Sequence, residues 1–180
     1  VGVAAIGLGR PFSGVLTLCG GGVTVYPDFL TGRFTRAGGG GLGCRRDGNG
    51  MVPLAPRAGL MAVGGGVMLG VKAWEPVVHR ALTGADNAPV KENLAFLSAF
   101  GKLAEVRVEC APDAVDVEAV LAGVAAALGP GAPSTPVKLS TCRPKGVRGA
   151  LAGRPAPTPE RMTAWRAYAL SAGLGAVLLR

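Results

Sequence analysis

Short apolar runs alternate with helix-like patterns along most of this chain. Runs rich in aliphatic and β-branched residues predict six strands, at Gly14–Leu18, Gly41–Arg45, Gly66–Val71, Ala104–Val108, Pro136–Leu139 and Ala176–Leu179, the second being the weakest. Alternation of strands with helices is typical of a mostly parallel sheet joined by right-handed crossovers. The pattern therefore predicts an α/β fold.

Three helices are predicted between these strands. Apolar residues recur at helical spacing over Val115–Leu128, and a Gly-Pro pair follows. Thr158 precedes Pro159 and an acid, the usual order at a helix start, and Gly173 closes that helix. A third helix is predicted over Pro89–Phe100. The apolar stripes of all three indicate core packing.

Length and charge narrow the classes of function. A chain of 180 residues is suited to one domain with a hydrophobic core, here taken as residues 1–180. The formal net charge is +8, but the basic residues are scattered and aromatic residues do not interleave with them, which argues against nucleic-acid binding. No segment has the length and apolar character of a membrane span, so a cytoplasmic protein is expected.

The four cysteines show no C-x-x-C spacing, which disfavours a zinc ribbon or a redox dithiol. Each lies near the predicted carboxyl end of a strand, where a parallel sheet would bring them towards one side. Free buried cysteines are the favoured interpretation over a metal site. These residues are Cys19, Cys44, Cys110 and Cys142.

Polar residues after the third predicted strand are assigned structural roles. His79 is the only histidine, and it is expected to be a surface or capping residue because it has no obvious nucleophile partner. Asp86 and Asn87 are expected to cap the helix that follows.

The glycine runs at 38–41 and 64–66 are expected to be loops before strands, since neither is followed by the Lys-Ser/Thr of a P-loop.

Several short motifs occur in a fixed order along the chain. The order is Cys19-Gly20-Gly21-Gly22-Val23 with Pro27-Asp28-Phe29, then Asp47-Gly48-Asn49-Gly50, Leu69-Gly70-Val71-Lys72, His79-Arg80-Ala81-Leu82-Thr83-Gly84, and Glu92-Asn93-Leu94. Over roughly residues 13–180 this series resembles the radical S-adenosylmethionine (SAM) activases of glycyl-radical enzymes, the group that contains the pyruvate formate-lyase activating enzymes.

The resemblance implies a fold, a reaction and a site. It implies a partial (β/α) barrel and the generation of a glycyl radical on a partner enzyme, a glycyl-radical enzyme, by reductive cleavage of SAM at a [4Fe-4S] cluster. Asp47 and Gly70 resemble part of the family's monovalent-cation site beside SAM, and the missing carboxylate of Gly70 is expected to weaken that site. The residues that the resemblance places around SAM are Gly20, Gly21, Asp47, Gly70, Val71, Lys72, Arg107 and Arg143.

The chain also departs from the family pattern. The family's Cys-x3-Cys-x2-Cys motif is absent, so no catalytic or metal-binding residue is assigned and the cluster ligands are missing from this chain. Gly22 and Gly70 replace family carboxylates, and Arg143 replaces a histidine. The missing carboxylates predict weak SAM affinity. The missing N-terminal segment predicts a truncated chain that is incomplete or inactive alone, and an open sheet edge that invites association.

Two other classes of function are compatible with the residues. The alternative to an activase is a noncatalytic α/β module that binds a small anion or a protein partner. A phosphate-binding barrel enzyme ranks last, because no paired acid and base is evident. A cysteine triplet encoded upstream would decide in favour of the activase.

Overall fold

The computed structural model describes residues 14–19, 26–141 and 154–180, and these form a six-stranded sheet. The strands are β1 (Val15–Cys19), β2 (Gly43–Gly48), β3 (Val67–Val71), β4 (Leu103–Cys110), β5 (Pro136–Thr141) and β6 (Ala176–Leu179). They pair in chain order and every pairing is parallel, with β1 and β6 at the two edges. The predicted α/β fold is confirmed, and the open parallel sheet is consistent with a partial barrel.

Six α-helices lie between the strands of the described chain. They are α1 (Pro27–Gly39), α2 (Ala58–Ala62), α3 (Pro76–Thr83), α4 (Ala88–Ala99), α5 (Val117–Leu128) and α6 (Pro159–Ser171), with 3₁₀ turns at Ala55–Arg57 and Gly129–Gly131. Within the described ranges, none of these helices has the length and apolar character needed to cross a membrane.

Side-chain capping sets the starts of α5 and α6. The predicted start of α5 at Val115 is two residues early, because Asp116 Oδ1 accepts a hydrogen bond from Ala119 N and begins the helix there. The predicted Thr158 cap is confirmed, since its hydroxyl accepts from Arg161 N. α4 begins one residue before the predicted Pro89.

Two predicted boundaries near β2 are wrong. The strand expected at Gly41–Arg45 runs over Gly43–Gly48, because pairing with β1 and β3 extends it through the charged residues that ended the apolar run. Gly38 and Gly39 belong to the last turn of α1 and not to a loop. The glycines at 64–66 do form the connection before β3.

Alternation along the strands separates an apolar face from a polar one. Successive side chains of a strand point to opposite faces, and those buried in β3, β4 and β5 form the core with the helices. The fully buried members in these strands are Leu69, Val106, Val108, Cys110, Val137 and Leu139. The intervening positions carry charged groups, among them Arg107 and Glu109, so the polar face is where a ligand site is to be sought.

A glycine inside α5 makes room for a tryptophan. Gly123 is buried, and a Cβ atom built on it would lie 2.1 Å from Trp74 Cδ2 and Cε2. Trp74 in turn stacks under the Lys91 ammonium, which lies 4.6 Å from its ring centroid. The close approach of the indole therefore requires glycine at position 123.

We expect Gly123→Ala to lower the free energy of unfolding by about 1–3 kcal/mol, because the added methyl overpacks against Trp74. The matched control is Gly32→Ala, since Gly32 lies inside α1 with nothing within 4 Å of its built Cβ. That change should stabilise the protein by about 0.5–1 kcal/mol through helix propensity. Urea denaturation followed by circular dichroism measures both, and equal effects would contradict the packing argument.

A buried arginine lies under the sheet among the helices. Arg46 is 1% exposed, and its Nη2 donates to the Leu60 carbonyl at 3.2 Å while the guanidinium lies over the Phe34 ring. Its Nε and Nη1 have no hydrogen-bond partner among the described residues. Desolvation lowers the pKa of Arg46 to about 10, so the guanidinium remains charged at neutral pH and its burial destabilises the folded state there, a penalty that is relieved only above pH 10.

We expect Arg46→Met to raise the free energy of unfolding by about 1–3 kcal/mol at pH 7, because it removes a buried and incompletely paired charge. The neighbouring Arg45→Met is the control, since Arg45 is exposed and its loss should change stability by less than about 0.5 kcal/mol. Thermal unfolding of both variants measures the difference. A less stable Arg46→Met protein would mean that the contacts to Leu60 and Phe34 outweigh desolvation.

Candidate functional site

A cleft of about 240 Å³ opens at the carboxyl ends of β2, β3 and β4. In open parallel sheets this end is where ligands bind, because the loops that follow the strands are free of packing duties. The residues that line the cleft are Asp47, Gly48, Asn49, Gly70, Lys72, Arg107 and Glu109.

One arginine connects two strands across a third. Arg107 on β4 reaches over β3 to β2, where its Nη1 donates to Asp47 Oδ2 at 2.5 Å. Its Nε donates to Glu105 Oε1 at 2.6 Å on the same strand. The residue paired with Arg107 on β3 is Gly70, which has no side chain to obstruct this path.

The surroundings of Arg107 keep it charged. Partial burial alone would lower the pKa of the guanidinium, but the hydrogen bond to Glu105 and the charges of Asp47 and Glu105 outweigh burial and raise that pKa. The side chains of Arg107, Asp47 and Glu105 are 30%, 28% and 15% exposed, so this group of charges is partly shielded from solvent.

A second ion pair lies at the more open side of the cleft. Lys72 Nζ is 2.6 Å from Glu109 Oε1, and the two side chains are 35% and 52% exposed. An ion pair this exposed contributes little to stability. Both groups therefore remain available to a ligand.

Carboxylates and cations are balanced in the lining of the cleft. Asp47 and Glu109 face Lys72 and Arg107 there, and a third carboxylate, Glu105, pairs with Arg107 beside the cleft without lining it. The site is thus suited to a ligand that carries both signs of charge.

The turn after β2 has a strict glycine requirement. Gly50 has a φ of +71°, and a Cβ atom built on it would lie 2.7 Å from Leu69 Cδ1. Just before it, Asn49 Oδ1 accepts a hydrogen bond from Met51 N at 3.2 Å, which tightens the turn. The backbone of the Asp-Gly-Asn-Gly sequence is therefore restrained, and it places Asp47 and Asn49 in the lining of the cleft.

The structure brings four of the eight residues expected around SAM into one cleft. These are Asp47, Gly70, Lys72 and Arg107. Val71 is buried in the core on the opposite face of β3, so only its backbone is available to a ligand. The other three, Gly20, Gly21 and Arg143, lie outside the described residues.

Two acidic members of the site were missed by the sequence analysis. Glu105 and Glu109 flank Arg107 at two-residue spacing, which places all three side chains on one face of β4. The alternation of charged with apolar residues along β4 was the signal from which they could have been predicted. The strand was instead recognised from its apolar residues alone, and of the charged ones only Arg107 was assigned to the site.

The surface position expected for His79 is wrong, and so is the capping role expected for the Asn87 side chain. His79 is 2% exposed, and its Nδ1 donates to the Ala85 carbonyl at 2.9 Å, so it closes the turn after α3 from inside. Asp86 does cap α4, through Oδ1 and Ala88 N. Asn87 is buried and its side chain makes no capping bond, because its amide is used elsewhere.

The cysteines do not gather at one end of the sheet. Cys44 lies near the start of β2 and not at its carboxyl end, and it is buried against α1, while Cys19 is exposed. Burial, with a contribution from the Glu109 charge, raises the pKa of Cys110 to about 12, so this thiol stays protonated at neutral pH. Cys142 lies outside the described residues.

The described residues do not fit an iron–sulfur cluster. A cluster needs convergent thiolates, and no three His, Cys, Asp or Glu side chains in the described ranges are arranged to hold a metal ion. The residues of the cleft fit a charged organic ligand better, since they offer both signs of charge around an open Gly70.

No protein-family model and no curated protein matches the sequence. Among solved structures, the chain is similar to a domain of a pyruvate-formate lyase-activating enzyme from Bacteroides vulgatus, with a TM-score of 0.74 and 16% sequence identity over 92% of this chain and 98% of that one. Similarity at this identity establishes a shared fold. It is the fold that the motif series implied.

Proposed function

We propose that the chain binds SAM in the β2–β4 cleft and belongs to an activase that acts on a glycyl-radical enzyme. The proposal is supported by two independent features. The fold resembles an activating-enzyme domain, and two motifs of the series supply residues to a single cleft at the ligand-binding end of the sheet, Asp47-Gly48-Asn49 from one and Gly70 with Lys72 from the other.

The charge of the cleft is the observation that carries the proposal. SAM has an ammonium, a sulfonium and a carboxylate, and thus a net charge of +1 at neutral pH. The cleft is lined by the carboxylates of Asp47 and Glu109 and by the cations of Lys72 and Arg107, with Glu105 paired to Arg107 beside it, so groups of both signs can complement that ligand. Lys72 and Arg107 would hold the ligand carboxylate, and Asp47 and Glu109 would face its positive groups.

The contribution of this chain is binding and orientation. Bound SAM supplies a sulfonium whose carbon–sulfur bonds are activated for cleavage. The described cysteines do not fit a cluster, so the cluster ligands that the activase reaction requires would have to come from residues outside those described. We therefore expect the described residues to bind SAM and to leave it intact.

A small anion is a weaker candidate ligand for the same cleft. Lys72 and Arg107 each already have a carboxylate partner within 2.6 Å, with which any anion must compete. SAM brings positive groups that can pair with the displaced carboxylates, whereas a small anion brings none. Competition with inorganic phosphate tests this alternative directly, because phosphate at millimolar concentration should not displace SAM from the proposed site.

Isothermal titration of the protein with SAM tests the proposal. We expect measurable binding, and we expect Asp47→Asn to weaken it about tenfold because a carboxylate that faces the positive ligand is neutralised. Asp86→Asn is the matched control, since Asp86 also pairs with an arginine but at the exposed end of α3. Absence of binding by the wild-type protein, or equal losses in the two variants, would refute the proposal.

Glu109→Gln tests the charge argument separately. Because S-adenosylhomocysteine lacks the sulfonium charge, we expect the substitution to weaken SAM binding about three- to tenfold and to change S-adenosylhomocysteine binding by less than twofold. Titrations with both ligands at 50 mM and 300 mM salt measure the difference, which should shrink at the higher salt. An equal loss for both ligands would show that Glu109 does not read the ligand charge.

A further inference from the structure

Two buried side-chain amides bind the loops behind the cleft. Asn87 immediately precedes α4 and Asn93 lies within it, and each residue is 2% exposed. Neither touches the cleft, so neither is a ligand-binding residue. Both use their amide groups on backbone outside their own helix.

Asn93 holds the loop between β2 and the following 3₁₀ turn. Its Nδ2 donates to the carbonyls of Gly50 and Val52 at 2.7 and 2.9 Å, and its Oδ1 accepts from Leu54 N at 2.8 Å. An amide is the only side-chain group of this size with two donors and an acceptor arranged in this way. The three bonds satisfy backbone groups that the loop would otherwise leave buried and unpaired.

Asn87 holds the loop after β3. Its Nδ2 donates to the Ala73 carbonyl at 3.1 Å and to the Trp74 carbonyl at 2.7 Å. These two residues directly follow Lys72, whose ammonium lies in the cleft. The position of the Lys72 side chain therefore depends on the hydrogen bonds by which Asn87 holds the two residues that follow it.

The two amides follow the same rule. Asn93 binds the carbonyl of Gly50, the residue after the cleft-lining Asn49, and Asn87 binds the carbonyl of Ala73, the residue after Lys72. α4 packs against β3 and β4 of the sheet. Both loops are therefore hydrogen-bonded to residues of one helix region whose position the sheet fixes. These bonds set the distance between the β2 side and the β3 side of the cleft.

We infer that Asn87 and Asn93 are positioning residues that pre-organise the cleft for its ligand, an inference that rests on the proposed function for the identity of that ligand. Pre-organised loops need no ordering when the ligand binds, and ordering would reduce the affinity. Asn→Asp is the informative change at either position, because it preserves size, removes the donors and sets a carboxylate against the carbonyls that the amide nitrogen binds.

Hydrogen exchange of the ligand-free protein tests the loop restraint. In Asn93→Asp the amides of residues 50–54 should exchange about tenfold faster, and in Asn87→Asp those of residues 72–75, with little change elsewhere. Leu97→Val is the control: Leu97 is a fully buried residue of α4 whose side chain is apolar and bonds to neither loop, so its truncation lowers the melting temperature without selective exchange in either loop. Unchanged loop exchange in both Asp variants, or equal acceleration in Leu97→Val, would overturn the inference.

SAM titration of the same proteins tests the consequence for binding. Asn93→Asp and Asn87→Asp should each bind about tenfold more weakly than the wild type, whereas Leu97→Val should remain within twofold at a comparable melting temperature. Loops that loosen without any loss of affinity would overturn the positioning role. If the wild-type protein does not bind SAM, the proposed function fails, and the exchange result alone decides whether the amides hold the loops.

Discussion

Burial of one face of the parallel sheet under the helices is the constraint on which the rest of this structure depends. Parallel strands are usually apolar on both faces because both faces are covered. Here β2 and β4 alternate buried and charged residues, with Val106 and Val108 under the helices and Arg107 between them on the polar face. The apolar face supplies the core, and the other face is left free for a charged site.

A charged face of this kind is stable only if its charges compensate one another. Arg107 provides most of this charge compensation, since it pairs with Asp47 across β3 and with Glu105 along β4. Each of these groups would be costly to leave alone in its partly buried position. The missing side chain of Gly70 is part of the same arrangement, because an acid at that position would compete for the guanidinium.

The cleft and the fold are joined through backbone that has little freedom. Gly50 can take its positive φ and approach Leu69 only because it lacks a Cβ, and the amide of Asn93 fixes the carbonyl next to Asn49. Such restraints make the site rigid before a ligand arrives, which favours affinity by lowering the ordering cost. Under the proposed function they would also couple SAM binding to the packing of α4.

Local features of the sequence determined most of the architecture. The apolar period of α5, the Thr158–Pro159 start of α6 and the six apolar runs were sufficient to predict helices, strands and a parallel α/β fold, because each depends on neighbouring residues. The family resemblance likewise indicated four residues of the cleft.

What only the tertiary structure decided were the contacts between residues distant in sequence. The burial of Arg46, His79 and Asn87 ran against their polarity, since a polar side chain is buried where distant backbone supplies its partners. The end of β2 was set by pairing with its neighbours and not by its own residues. The pairing of Arg107 with Asp47, sixty positions away, likewise exists only because the sheet places β2 and β4 on either side of β3.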